Sequence, residues 1–463
     1  VEGGAALWKW TDSCDTIDSM LEQPLLTLGL AFMVPIGYAL IGASGLPAQR
    51  TRHAAVSFLA ALGLAVVGYV ITGFALQFGG VGLVHETPGY DGLIWEWSAL
   101  GVTWGPGWGM AGLAGWGMAG GAATPEARTL ALTNLPWVLT AALIPVSTLA
   151  GRIPNWATGL LGFLVGALLY PLAGNWTWGG GWLANLGSNL GLAQGLADPG
   201  GAGLVHLLGA AVALAGLLVF LKRRPRRVVE AEPVTLPAAT FPLLSLLGVG
   251  LLFVGLAAWM TANPLLPEEI EVQRVLLHTV LAAASAALFS IGYTGLVAGR
   301  YDPLMGTRAA GAAVAASLAA AAYIPAWAAL VLGALIGVLT PFAIFTVDRI
   351  LRWEDPTAGL TIHGLGGLLG LVAVGLLADG TAGVAAGPDF PLQLQAQVTG
   401  IAAIGLFGFF AAWLFLVPLA AATHALWAPQ AALPVTAEVE APQEDPGPPA
   451  PQSPAPYTPA PPV

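Results

Sequence analysis

DPGGAGLVH at residues 198–206 and DPTAGLTIH at residues 355–363 are two writings of one phrase. Each opens on Asp-Pro, passes through small residues to a Gly-Leu pair, and closes on a branched apolar residue and a histidine eight positions after the acid. Both copies lie in sequence that is otherwise hydrophobic. Only 9% of the 463 residues are charged and 56% are hydrophobic, whereas about 25% of an ordinary soluble domain is charged. The chain therefore reads as a polytopic membrane protein.

Apolar stretches near the ~20 residues needed to span a bilayer recur at 25–45, 54–79, 130–150, 155–174, 200–221 and 239–261. A second set follows at 272–298, 309–324, 326–347, 358–377 and 398–422, which makes eleven. All are rich in Ala, Leu, Gly and Val without strict alternation, so they predict helices and not the strands of about 10 residues that build a barrel. The 62 glycines suit helices that pack closely in lipid, where no hydrophobic drive joins them. The fold expected is all-α.

Basic residues set the orientation. Arg50 and Arg52, Arg152, the run KRRPRR (222–227), Arg300 and Arg308, and Arg349 and Arg352 all follow odd-numbered spans. Cytoplasmic loops carry the Lys/Arg excess, which puts the N-terminus outside and, after eleven spans, the C-terminus inside. The same parity makes residues 80–129, including the apolar run 101–121, an outer loop that is Gly/Trp-rich and partly re-entrant, because counting it as a span would throw Arg152 outside. The outer loops then hold an acidic excess, Glu22, Glu86, Asp91, Glu96, Asp198, Glu268, Glu269 and Glu271 among it. Such a surface gathers cations at a mouth; it equally describes a solvated face.

Three segments follow: an extracellular N-terminal segment (1–23) with no basic-then-apolar leader, a membrane domain (24–428), and a tail (429–463). The tail is Pro-rich and lacks apolar periodicity, so it is expected to be disordered or polyproline-like on the cytoplasmic side. It is free to bind a partner or to be passive. The single Cys14 excludes an intrachain disulfide and a thiolate metal cluster. No cofactor or metal is called for.

Asp-Pro favours a helix start, since proline has no N–H to leave unpaired and the acid caps the dipole. Asp198 and, with Pro356, Asp355 are thus expected to begin spans 5 and 10. These run in opposite directions, so the chain parses as an inverted repeat of spans 1–5 and 6–10 with span 11 appended. Eight residues at about 1.5 Å each carry His206 and His363 inward from opposite faces. Inverted repeats place sites at their interface near the midplane, and intramembrane ionisable groups mark pathways or proton relays. Interhelical hydrogen bonding averages only about 0.6 kcal/mol, a bland alternative that a matched pair makes less economical than function. A bis-His haem site is the third chemistry such a pair supports, with no other haem cue beside it. His278 reads as polar packing. His53, His85 and His424 lie near loop ends.

At these residues the chain resembles the ammonium transporter and Rhesus-glycoprotein family. The resemblance is carried over 24–425 by GLVH (203–206), HGLGG (363–367), WGGG (178–181), Asp198, Asp355-Pro356 and FMVPIGYAL with Pro35. It implies a homotrimer in the cell (inner or plasma) membrane with one pore per subunit. His206 and His363 would line that pore, Trp178 would belong to an outer cation site, and Asp198 would hold that site's architecture. Family members carry two stacked phenylalanines as an outer constriction, where this chain aligns Trp137 and Trp259. Pro199 replaces the usual aromatic after the first acid, and Ala358 replaces the acid often found five before the second histidine. The tail region that engages a small trimeric signalling protein is not visible.

The implied function is movement of ammonium, ammonia or methylammonium through a twin-histidine pore, with aromatics and acids gathering the cation. The alternatives are a Rhesus-type neutral conduit for ammonia or carbon dioxide, and an ammonium sensor signalling through its tail. No GKS/GKT loop and no triad spacing occurs, so neither an enzyme nor an ATP-driven pump is expected, and nothing points to nucleic acid.

Overall fold

The computed structural model describes residues 26–100, 107–221, 242–384 and 389–426. The N-terminal segment with Cys14, the KRRPRR run and the Pro-rich tail lie outside the described residues. Among those described, long helices follow one another as α1 (Leu26–Ala43), α2 (Ala48–Leu83), α3 (Pro125–Thr148), α4 (Asn155–Thr177), α5 (Ala202–Val219) and α6 (Pro242–Ala262). They continue as α7 (Val272–Ala298), α8 (Pro303–Ala320), α9 (Ala326–Ile350), α10 (Gly359–Leu377) and α11 (Phe390–Leu426). Ten are long and apolar enough to cross a membrane. A helix satisfies its backbone internally, which lipid demands.

The remaining one, α8, is alanine-rich and buried along nearly its whole length. It differs from the expected 309–324 because a third Asp-Pro starts it. Asp302 Oδ1 accepts the amides of Leu304 and Met305 at 2.9 and 3.4 Å, with Pro303 in the first turn. Arg308, expected in an inner loop, consequently sits inside α8, where it is 1% exposed.

The helices pair by glycine. A Cβ on Gly162 or Gly166 of α4 would stand 2.2 Å from the carbonyl of Ala61 or Ala65 of α2. On α9, Gly333 and Gly337 meet the carbonyls of Ala282 and Ala286 of α7 at 2.2 and 2.5 Å. Four-residue glycine spacing against four-residue alanine spacing is the close-approach geometry of helices in lipid. Both pairs run parallel, since contact numbers rise together on the two helices. The same holds for α3 with α5, where Gly209 meets Ala141 and Ile144 and Gly216 meets Leu149, and for α8 with α10, where Gly366 meets Ala312 and Gly370 meets Ala316. Helices 2 and 4 thus answer to 7 and 9, and helices 3 and 5 to 8 and 10. Between the halves the sense reverses. Gly203 of α5 meets Leu371 of α10, whereas Gly364 of α10 meets Ala210 of α5, so these two helices are antiparallel.

Between α2 and α3 the described residues form short turns and one antiparallel pair, β1 (Glu96–Trp97) with β2 (Ala111–Gly112). No described helix in this loop is long enough to span, and Trp176 of α4 ties it down by donating from Nε1 to the Met110 carbonyl at 2.9 Å. The α11 helix braces the segment leading into α5. Gln397 accepts the Ala197 amide at 3.0 Å and returns a bond to its carbonyl at 2.9 Å.

Candidate functional site: paired imidazoles beside a polar cavity

His206 and His363 are each the fifth residue of their helix. Their Nδ1 atoms stand 2.7 Å apart, with ring planes only 10° from parallel. One Nδ1 must donate and the other accept, so the two rings hold opposite tautomers. Tyr38 of α1 presses edge-on against both, at centroid distances of 5.1 and 4.7 Å, and is held by its hydroxyl donating to the Gly311 carbonyl. With each Nδ1 engaged by the sister ring, Nε2 is what His206 offers, and that atom has no protein partner. The contact leaves no room between the rings for a macrocycle, which removes bis-histidine haem ligation.

The helices that carry the pair do not begin as the sequence suggested. Pro199 and Pro356 occupy turns ahead of α5 and α10 instead of the first helical turn. Each aspartate bridges its turn: Asp198 Oδ2 accepts the amides of Gly203 and Leu204 at 2.9 and 3.0 Å, and Asp355 Oδ2 accepts that of Leu360 at 3.0 Å. The first turns themselves also differ. Ala202–Leu207, including His206, winds as a π-helix, whereas His363 lies in regular α-helix. Local π turns concentrate at functional positions.

On one side of the pair lies a cavity of about 200 Å³ bordered by Trp178, Asp198, Thr177, Asn134, Asn263 and Tyr323, with His85 and Pro267 also on its wall. Trp178 Nε1 donates to the Asp198 carbonyl at 2.9 Å, which fixes the indole over the cavity. The free oxygen of Asp198, Oδ1, is buried without a protein partner. Burial pushes this carboxyl up to about 6, against the pull of the Leu204 and Gly203 amides. Burial also lowers the pKa of His85, so that imidazole adds no positive charge at neutral pH.

Trp137 and Trp259 do not border this cavity. Both are 1% exposed and stand between it and the histidines as an aromatic ladder. Trp178 stacks on Trp259 at 5.9 Å, Trp259 meets Trp137 edge-on at 5.1 Å, and Trp137 meets His206 at 6.3 Å. Trp259 is anchored by Nε1 donating to the Thr133 carbonyl at 2.9 Å. Of the four residues expected to recruit a cation, Trp178 and Asp198 are therefore in the cavity and the other two are below it.

At the start of α10, cations converge on Glu354-Asp355-Pro356. Arg50 pairs with the Glu354 carboxylate at 2.8 Å, Arg152 donates to the Glu354 carbonyl, and Arg308 donates to the Pro356 carbonyl. Asp355 is raised above the usual carboxylate range by burial, against the Leu360 amide and the Thr357 hydroxyl. Sequence reasoning assigned these arginines to topology and missed this use. It also passed over Asn134, took Tyr38 only as part of FMVPIGYAL, and read His85 as a loop-end residue. The signal available for Tyr38 and Asn134 was a polar group inside an apolar span.

A polytopic helical protein with a histidine pair where two antiparallel half-repeats meet, below a carboxylate-and-indole cavity, belongs to the class of membrane transporters and channels. Residues 25–432 match the model of the Ammonium Transporter Family. Ammonium transporter Amt2 of Archaeoglobus fulgidus is 27% identical over 384 residues, covering 82% of this chain and 75% of that one. Among solved structures, a Sensor Amt Protein matches with TM-score 0.70 at 20% identity over 86% of this chain and 92% of its own. Candida albicans Mep2 matches with TM-score 0.67 at 20% identity, over 86% and 84%. The chain belongs to the ammonium transporter family and is a multi-pass membrane protein, not an enzyme.

Proposed function

We propose that this protein conducts ammonium through a pore lined by His206 and His363, separating proton from amine on the way. The observation that carries the reading is the 2.7 Å Nδ1 contact between the two buried rings. Carrying the intact cation through a low-dielectric lane costs several kcal/mol in desolvation. Ammonium first enters the outer cavity, attracted by the unpaired oxygen of Asp198 and the face of Trp178, a cation-π contact worth about 0.5–2 kcal/mol. Ammonia then continues past the tryptophan ladder.

The proton takes the imidazoles. With the His206 Nδ1–H directed at His363, the His206 Nε2 lone pair accepts a proton, the shared hydrogen passes to His363 Nδ1, and His363 releases the hydrogen of its own Nε2. One charge crosses the pair and both rings are neutral again. Asp355, through the Thr357 hydroxyl and the Leu360 amide, and Pro356, whose carbonyl takes Arg308, hold the start of the second histidine helix in place.

On the same footing we propose eleven crossings with α8 as the eighth, an outer N-terminus and inner C-terminus, and a homotrimer with a pore in each subunit. Residues 24–428 form the membrane domain, and the tail is available to a cytoplasmic partner. Ammonium pulses on proteoliposomes, read by solid-supported-membrane electrophysiology, test the pore. Wild-type protein gives an ammonium current, and replacing both His206 and His363 by Ala brings it to the empty-liposome level. Full current without the two rings sinks the relay; methylammonium flux without current in the wild type identifies a neutral conduit instead.

A further inference from the structure

We propose that Asn134 selects the neutral form of the substrate at the cavity wall next to the tryptophan ladder. The inference rests on the reading of that cavity as the ammonium entrance. Asn134 borders the cavity, precedes Trp137 by one turn of α3, and adjoins Thr133, whose carbonyl anchors Trp259.

Its orientation is fixed by what surrounds it. Nδ2 donates to the Leu130 carbonyl at 2.9 Å, and a flipped amide would set two oxygens against each other at that spacing. Oδ1 accepts from Gln77 Nε2 and from the Tyr170 hydroxyl, each at 3.3 Å. Gln77 is itself locked, taking the Tyr69 hydroxyl on its Oε1 at 2.8 Å and the Asn175 amide on its backbone carbonyl at 3.3 Å. Gln77, Tyr69, Tyr170 and Asn175 are wholly buried, and buried polar groups keep the partners they have.

An amide oxygen has two lone pairs and an amide nitrogen two hydrogens. Both lone pairs of Asn134 are taken and one hydrogen is used, so the capacity left to it is a single N–H. Ammonium presents four N–H groups and no lone pair, so it finds no acceptor there. Ammonia has a lone pair and does. The opposite preference belongs to another residue of the same lining, Asp198, whose Oδ1 is an unpaired acceptor. The cavity thus holds a cation-preferring pole and a base-preferring pole, with the latter beside the ladder that ammonia must pass.

The test is ammonium-evoked current and methylammonium flux in proteoliposomes for Asn134→Asp and Tyr170→Phe. Asn134→Asp keeps the size and replaces the amide nitrogen by an oxygen, which removes the free N–H together with the bond to the Leu130 carbonyl. The half-saturating ammonium concentration should fall while the maximal current drops about tenfold, the scale of one hydrogen bond at a polar site. Tyr170→Phe leaves Asn134 in place but frees one lone pair of its oxygen, and should move both quantities in the same directions by a smaller factor. Folding is followed by monodispersity and thermal unfolding in detergent. Wild-type values for both variants overturn the proposal, as does a lower maximal current at unchanged half-saturation, which is the signature of a merely structural role. A wild-type protein without any ammonium response overturns the entrance reading and this inference together.

Discussion

Asp198 and Asp355 do the same work on two antiparallel helices. Each accepts, through Oδ2, the backbone amide five residues further on, at 2.9 Å from Gly203 and 3.0 Å from Leu360. The chain between them must turn sharply, and in both copies the residue three after the acid takes the left-handed conformation. That residue is Gly201, φ 89°, in the first and Ala358, φ 53°, in the second.

The asymmetry gives a stability prediction. A left-handed residue with a Cβ costs about 1–2 kcal/mol, which glycine avoids. Ala358→Gly should therefore stabilise the detergent-solubilised protein by about 1 kcal/mol with the ammonium current kept. Gly201→Ala should do the reverse and disturb the site, because its Cβ would lie 2.8 Å from Val205 Cγ2 and 3.2 Å from the Trp178 ring. Thermal unfolding of the two variants side by side checks the sign.

Asp198 predicts a pH dependence. Its carboxyl is pushed up to about 6 by burial, against the Leu204 and Gly203 amides, so it is anionic above that pH and neutral below. Ammonium half-saturation should rise severalfold as the outer pH falls through about 6, and Asp198→Asn should flatten the profile. The stability sign follows from linkage. The native pKa lies above the ordinary aspartate value of 3.8, so the contribution to stability is full below 3.8 and is lost as pH rises through about 6. Measured half-saturation that is flat between about pH 5 and 7 would remove Asp198 from recruitment.

The glycine seams predict where packing fails. Gly337 of α9 has no space for a side chain, since a Cβ would stand 2.5 Å from the Ala286 carbonyl. Gly337→Leu must push α7 and α9 apart, and overpacking of this kind costs about 1–3 kcal/mol. Gly292, in the same α7 helix, has nothing within 4 Å, and Gly292→Leu should be tolerated. Thermal unfolding of the pair separates close approach from mere glycine content.

What was legible in the sequence was whatever repeats or partitions. Hydropathy marked the helices because lipid permits few alternatives, and the doubled Asp-Pro…His phrase marked the two starts because both solve one geometric problem. Equal spacing from acid to imidazole was enough to bring His206 and His363 together without knowing how each helix begins. The Asp-Pro reading itself failed at Pro199 and Pro356 and applied at Asp302-Pro303, because whether an Asp-Pro caps or precedes a helix depends on the amide its carboxylate reaches. Arg308 was misplaced for the same reason. The cavity was opaque because Asn134, Thr177, Asn263 and Tyr323 come from separate segments, and no periodicity links them.

Trp137 gives the last prediction. It is 1% exposed, its Nε1 has no protein partner, and it touches both Trp259 and His206. An indole that fills the space between cavity and imidazoles without a hydrogen bond of its own acts by volume. Trp137→Ala should cost about 3–5 kcal/mol of stability by leaving a void, and should open a wider way to His206. Trp137→Phe keeps most of the volume and should stay close to wild type in both respects. Methylammonium flux should therefore rise in the alanine variant relative to phenylalanine, and potassium pulses should begin to give a current. Loss of all ammonium flux in a folded Trp137→Ala protein would mean that the ring binds substrate instead of screening the pair behind it.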